Sequence, residues 1–178
     1  MELIHFVRWL HVIGATVLLG TGAGIAFFMV MAHRSKEAKL IAHVASTVVI
    51  ADWIFTASAV VVQPITGAWL AHLVGWRLTE GWIVASLALY AITGAFWLPV
   101  VWMQHRMRDL ARAAAAQSAP LPETYHRLYR RWFFCGFPAF ASVLGIIWLM
   151  IARPSFAHHV LDDGGEAGLA TAAQPFGD

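Results

Sequence analysis

Four long apolar runs dominate the chain, each set off by polar or charged residues. The first passes through Leu3 to Met31 and carries no charge from Val12 to Met31; the second passes through Leu40 to Leu70, with Asp52 as its one charged residue. The third runs from Trp82 to Trp102 and the fourth from Trp132 to Ile151. A helix needs about 20 mostly apolar residues to cross some 30 Å of hydrocarbon, so each run predicts one transmembrane helix. The runs are continuous and lack the ten-residue alternation of lipid-facing strands, which argues against a β-barrel. The expected fold is therefore all-α, an integral membrane four-helix bundle forming one domain over residues 1–153. Beyond Arg153-Pro154 the chain turns polar and acidic, with Asp162, Asp163 and Glu166 around Gly164-Gly165, and residues 154–178 read as a flexible tail with no means to bury a core.

Charge orients the bundle. Arg34, Lys36 and Lys39 lie between the first two runs, and Arg106, Arg108, Arg112, Arg127, Arg130 and Arg131 between the last two, so nine of the twelve basic residues share one side. By the positive-inside tendency that side is cytoplasmic and both termini are periplasmic, in a bacterial inner membrane. The first run follows Glu2 rather than a basic cluster and is too long for a signal sequence, so it reads as a retained span. Met103 to Gln117, rich in Ala and Arg, predicts a helical extension of the third span beyond the membrane, ended by Ser118, Pro120 and Pro122. Trp9, Trp76, Trp82, Trp102 and Trp132 fall where an aromatic belt is expected.

Composition agrees with this class. Of 178 residues 60% are hydrophobic and 12% charged, against roughly 25% charged for a soluble domain. Cys135 has no partner for an internal disulfide, and no CxxC, HExxH, GxxxxGK[ST] or GxSxG motif is present. The basic clusters flank the spans and suit anionic lipid, not nucleic acid. Whether the protein is an enzyme stays open on these residues.

Candidate chemistry lies inside the spans. Asp52, Thr56, Gln63 and Thr66 are spaced by 4, 7 and 3 residues, which keeps them on one helix face with the small Ala59 between them. Ser86, Tyr90, Thr93 and Trp97, continued by Gln104, form a similar line on the third span. Such stripes face inward, either as interhelical hydrogen bonds or as the lining of a path. A carboxylate near mid-span costs on the order of 3 kcal/mol on insertion scales, and Asp52 with Gln63 is the candidate lining of a proton or quinone path.

On the first span Arg8 and His11 stand three residues apart, and Gly14, Ala15 and Gly22 leave room beside His11 for something flat. A haem plane suits that room, with His11 on the iron and Arg8 on a propionate. The competing explanation is close helix packing, for which Gly20 and Gly24 supply a small-xxx-small pair. His5 and His72 belong with His11 at the outer side; His33, His43, His105 and His126 belong to the inner side. His11 and His105 lie too far apart in depth to share one iron, so a second site would use His43 and His105, unless both are simply interfacial.

Four ordered motifs, Arg8-Trp9-Leu10-His11-Val12, Ala51-Asp52-Trp53-Ile54-Phe55-Thr56, Gln63-Pro64-Ile65-Thr66-Gly67 and Phe96-Trp97-Leu98-Pro99-Val100-Val101-Trp102, together resemble an uncharacterised bacterial integral-membrane family, domain of unknown function twenty-two sixty-nine. The resemblance covers about Leu3 to Pro154. More distantly, the first span is similar to those of copper-resistance D proteins and HemJ-type protoporphyrinogen oxidases, in which a first-span histidine is associated with haem b; the match here is His11. The HemJ type also relies on a lysine in a later span, whereas Lys36 and Lys39 lie in a loop. The resemblance therefore implies haem binding more than that oxidation. Two functions follow from these residues: a b-haem protein passing electrons, with quinone or another redox partner, or a cofactor-free permease subunit or assembly partner, as a homo-oligomer or within a membrane complex.

Overall fold

The computed structural model describes residues 2–154, and the tail expected at 154–178 lies, apart from Pro154, outside the described residues. Four helices carry the chain: α1 (Glu2–Ser35), α2 (Ala38–Val74), α3 (Gly81–Ala116) and α4 (Glu123–Ala152), each long and apolar enough to cross a membrane. No strand occurs among the described residues. At 1.5 Å per residue, α1 and α3 are roughly 50 Å long, well beyond the hydrocarbon thickness. The predicted extension of the third span is realised to Ala116. Large apolar side chains such as Phe27, Phe28, Trp53, Phe134 and Phe137 are exposed on the outside of the bundle, as a lipid-facing surface requires.

The helices are stopped by local chemistry. Gly75 closes α2 at φ 84°, and its N–H donates to the His72 carbonyl at 3.2 Å while that of Trp76 reaches Ala71 at 2.9 Å. Glycine takes this left-handed cap without the Cβ clash that other residues meet. Lys36 takes the equivalent position after α1, at φ 59°, although it has a Cβ. The basic loops at Lys36-Glu37 and residues 117–122 share one end of the bundle, called here the basic end. The other end holds the residue 75–80 turn and the outer limits of α1 and α4, where Arg153 stacks over Trp76 at 4.5 Å.

Within α2 the helix widens into one π-turn at Asp52–Thr56, where the Ala57 N–H reaches the Asp52 carbonyl five residues back. That turn divides α2 by neighbour: Ala38–Ala51 packs on α1 and α3, whereas Ala57–Val74 packs chiefly on α1. The apolar core consequently sits toward the basic end, built from Ile25 and Met29 on α1, Ile41 and Ala45 on α2, Met103 and Met107 on α3, and Tyr125 and Leu128 on α4. Toward the other end the α1–α2 pair and the α3–α4 pair diverge. One contact across the gap follows from a proline. Pro64 has no N–H to give the Val60 carbonyl, and the Tyr90 hydroxyl of α3 donates to that carbonyl instead.

Candidate functional site

The inward stripe on α2 exists as expected: Asp52, Thr56, Ala59, Gln63 and Thr66 are all buried. Its members divide between two sites: Gln63 and Thr66 bond to α1, and Asp52 bonds to α3.

The first site surrounds His11, which is 8% exposed. The Thr66 hydroxyl lies 2.9 Å from the Val62 carbonyl and 2.9 Å from His11 Nδ1. A hydroxyl has one proton, and in an apolar helix it goes to the preceding-turn carbonyl. Thr66 therefore accepts from His11 Nδ1–H, which places the neutral lone pair on Nε2. The ring's side-chain hydrogen bond is made at Nδ1, and no side chain bonds to Nε2 among the described residues. The ring lies against Gly67, where an added Cβ would stand 3.2 Å from Cε1. Gln63 Nε2 donates to the His11 carbonyl at 2.8 Å, and this overturns one expectation: the room predicted at Gly14 is filled, because a Cβ there would collide with Gln63 Nε2. Gly22 remains open, as do Gly20 and Gly24, none of which has a heavy atom within 4 Å of an added Cβ. The Gly20–Gly24 pair is thus not an intramolecular packing seam. Arg8 is exposed one turn from His11, and His72 is exposed as well.

A second site lies nearer the basic end and draws on three helices. The Trp97 indole donates to Asp52 Oδ1 at 3.4 Å. With the Gln104 amide oriented by its neighbours, Nε2 donates to Asp52 Oδ2 at 3.2 Å and Oε1 accepts from Trp132 Nε1 at 3.3 Å. The Thr56 hydroxyl is buried among these groups without a partner. Trp132, expected in an interfacial belt, is instead a buried member of this network, 5% exposed. Ser86 and Thr93 bond to carbonyls of their own helix, Trp82 and Leu89, and take no part.

The histidines expected as a second ligand pair are not brought together. His105 Nε2 accepts from the Trp53 indole at 3.2 Å, and Trp53 is ten residues, or about 15 Å of helix, beyond the exposed His43. The same ruler separates His105 from His11: their partners Trp53 and Thr66 are thirteen residues apart on α2, about 20 Å. Among the described residues no group of three or more His, Cys, Asp or Glu could hold a metal ion.

Sequence reasoning passed over a third cluster, just outside the membrane-spanning part of α1. His33 stacks face to face on Tyr129 at 3.6 Å and 9°, and its Nδ1 lies 3.4 Å from the Tyr125 hydroxyl, with His126 edge-on at 5.8 Å. Burial, then the neighbouring His126, holds His33 below the usual histidine range. Burial and the adjacent Tyr129 lift Tyr125 above the usual phenol range. The aromatic spacing at Tyr125 and Tyr129 was visible in the chain; its pairing with His33 required the fold.

Four apolar helices with polar groups turned inward define a multi-pass integral membrane protein. Its family follows from the sequence: the chain belongs to the family described as predicted integral membrane protein, domain of unknown function 2269, whose model matches residues 5–154. No curated protein and no solved structure matches the chain significantly.

Proposed function

We propose that this is a bacterial inner-membrane protein, with its basic end cytoplasmic, that binds b-type haem through His11 and takes part in electron transfer. The observation that carries this reading is the 2.9 Å hydrogen bond between His11 Nδ1 and the Thr66 hydroxyl. Thr66 holds Nδ1–H and orients the ring, as outer partners do for metal-ligating histidines, and Nε2 is left with an unshared lone pair. Haem bound there would supply a one-electron couple. The chain's own part is to hold the imidazole: Thr66 sets its tautomer, Gly67 admits its edge, and Gln63 braces the backbone that carries it. Quinone is the fitting partner class for a carrier this deep in lipid, and the Asp52 network would move its proton.

A second reading rests on a different observation. Gln63 closes the recess at Gly14 while Gly20, Gly22 and Gly24 open outward, a surface suited to the helix of another subunit. It describes a cofactor-free assembly partner or permease subunit. The two readings part on a reduced-minus-oxidised visible spectrum of the purified protein, expressed with haem supply. A b-type spectrum is expected, lost in His11→Ala and weakened in Gly67→Ala, where the ring must move off a 3.2 Å contact. A colourless, monodisperse wild type would refute the haem reading and leave the second.

A further inference from the structure

The basic end carries a built recess that neither electron transfer nor the Asp52 network uses. His33 and His126 are shared by two adjoining hollows. One, about 320 Å³, is completed by Glu123, Tyr129 and Arg130. The other, about 550 Å³, is completed by Arg34, Lys36, Pro120 and Leu121 and has no carboxylate in its wall. Glu123 and Arg130 face each other at 3.7 Å with both side chains exposed, a pairing worth little in water, so the larger hollow keeps its positive charge.

Two features distinguish this hollow from a scatter of solvated lysines and arginines. The first is Lys36. It occupies the left-handed position after α1 at φ 59°, and its side chain lines the hollow. The second is His33, whose ring is clamped by the Tyr129 stack and the Tyr125 hydroxyl. Nδ1 is engaged there, so Nε2 is the nitrogen left for a ligand.

We propose that the recess formed by His33, Arg34, Lys36 and His126 binds the phosphate group of an anionic ligand. Arginine and lysine together suit phosphate oxygens, through the guanidinium fork and a point charge respectively. Basic pockets between membrane helices take lipid headgroups by this chemistry. The apolar wall at Pro120 and Leu121 and the position at the end of a span make a bilayer phospholipid the favoured source, with a soluble phosphate as the other.

The test uses the full chain in detergent, with lipid retention read by native mass spectrometry. Phosphatidylglycerol is expected to be retained over phosphatidylcholine. The double variant Arg34→Gln/Lys36→Gln is expected to weaken that retention by about tenfold or more. Arg112→Gln removes an equally exposed cation that contacts Ser46 on α2, away from the recess, and is expected to leave retention unchanged. In a parallel arm, inorganic phosphate and glycerol phosphate are titrated while the His33 imidazole resonances are followed. Saturable shifts abolished by the double variant, without lipid preference, would assign the recess to a soluble phosphate. Equal losses in Arg112→Gln and the double variant would show a non-specific basic belt and overturn the proposal, as would no response to any phosphate.

Discussion

Tyr90→Phe isolates the contact that spans the diverging half of the bundle. The substitution removes one hydroxyl and keeps the ring. Its partner, the Val60 carbonyl, cannot be repaired from within α2, because position 64 is proline and has no N–H. An unpaired carbonyl in hydrocarbon costs several kcal/mol by transfer, but hydrogen bonds measured inside membranes contribute nearer 0.6–2 kcal/mol. Tyr90 is half-buried, which favours the lower part of that range, so a loss of about 1 kcal/mol is expected. Pro64→Ala supplies the missing N–H, and in that background Tyr90→Phe should cost less than about 0.3 kcal/mol, giving a coupling near 0.7 kcal/mol. The assay is reversible unfolding in mixed micelles for the four members of the cycle, which cancels any separate effect of straightening α2. Equal costs for Tyr90→Phe in both backgrounds would refute the assignment of the proline-freed carbonyl as its partner.

Two further predictions concern the polar network and the clamped histidine. Asp52→Asn should destabilise by about 1–3 kcal/mol, because either the Trp97 indole or the Gln104 amide donor must then face the new NH2, and turning Gln104 over sets its nitrogen against the Trp132 indole. Adding Trp132→Phe should recover part of that loss in the same unfolding assay, and no recovery would break the proposed chain of donors. His33 is held below the usual histidine value by burial and His126, so the unfolded chain binds more protons than the folded one and stability falls as pH drops below about 6.5. With Glu123 the one carboxylate beside it, facing Arg34, His126 and Arg130, protonated His33 gains little compensation. In zwitterionic detergent, thermal unfolding should occur at lower temperature at pH 5 than at pH 7, and His33→Gln should shrink that difference; an unchanged difference would remove His33 as its source.

The fold was legible because lipid demands it: continuous apolar runs can cross a bilayer only as helices, and their number, ends and pairing by short loops follow. The α2 stripe was legible for a related reason, since a polar residue at helical spacing in an apolar run must turn inward. The partners of that stripe were not. Gln63 and Asp52 share a face by periodicity, yet Gln63 bonds to α1 and Asp52 to α3, a division set by how far the helix pairs separate. Gly14 looked like empty space because glycine spacing does not show what a neighbouring helix inserts. Trp132 looked interfacial because a hydropathy boundary cannot tell a buried indole from a belt indole.

The π-turn is the point where those two levels meet. One line of buried positions on α2 runs through Ile41, Ala45, Val48, Asp52, Thr56, Ala59, Gln63 and Thr66, with Ala42 and Val49 beside it, stepping 4, 3, 4, 4, 3, 4, 3. Those steps average close to 3.6 residues per turn, the ordinary α-helical period, so the positions stay on one face of α2. The wide turn at Asp52–Thr56 falls within that stripe, and buried positions continue on both sides of it. Upstream the stripe meets α1 and α3 and forms dry core; downstream it meets α1 and holds His11. Asp52 and Thr56 bound the turn itself, and the Thr56 hydroxyl is the one buried side-chain polar atom without a partner among the described residues. The local cost of an irregular helix and the cost of an unpaired hydroxyl thus fall on the same five residues. That coincidence places the Asp52 network, more than the stripe as a whole, where the protein departs from what packing alone would require.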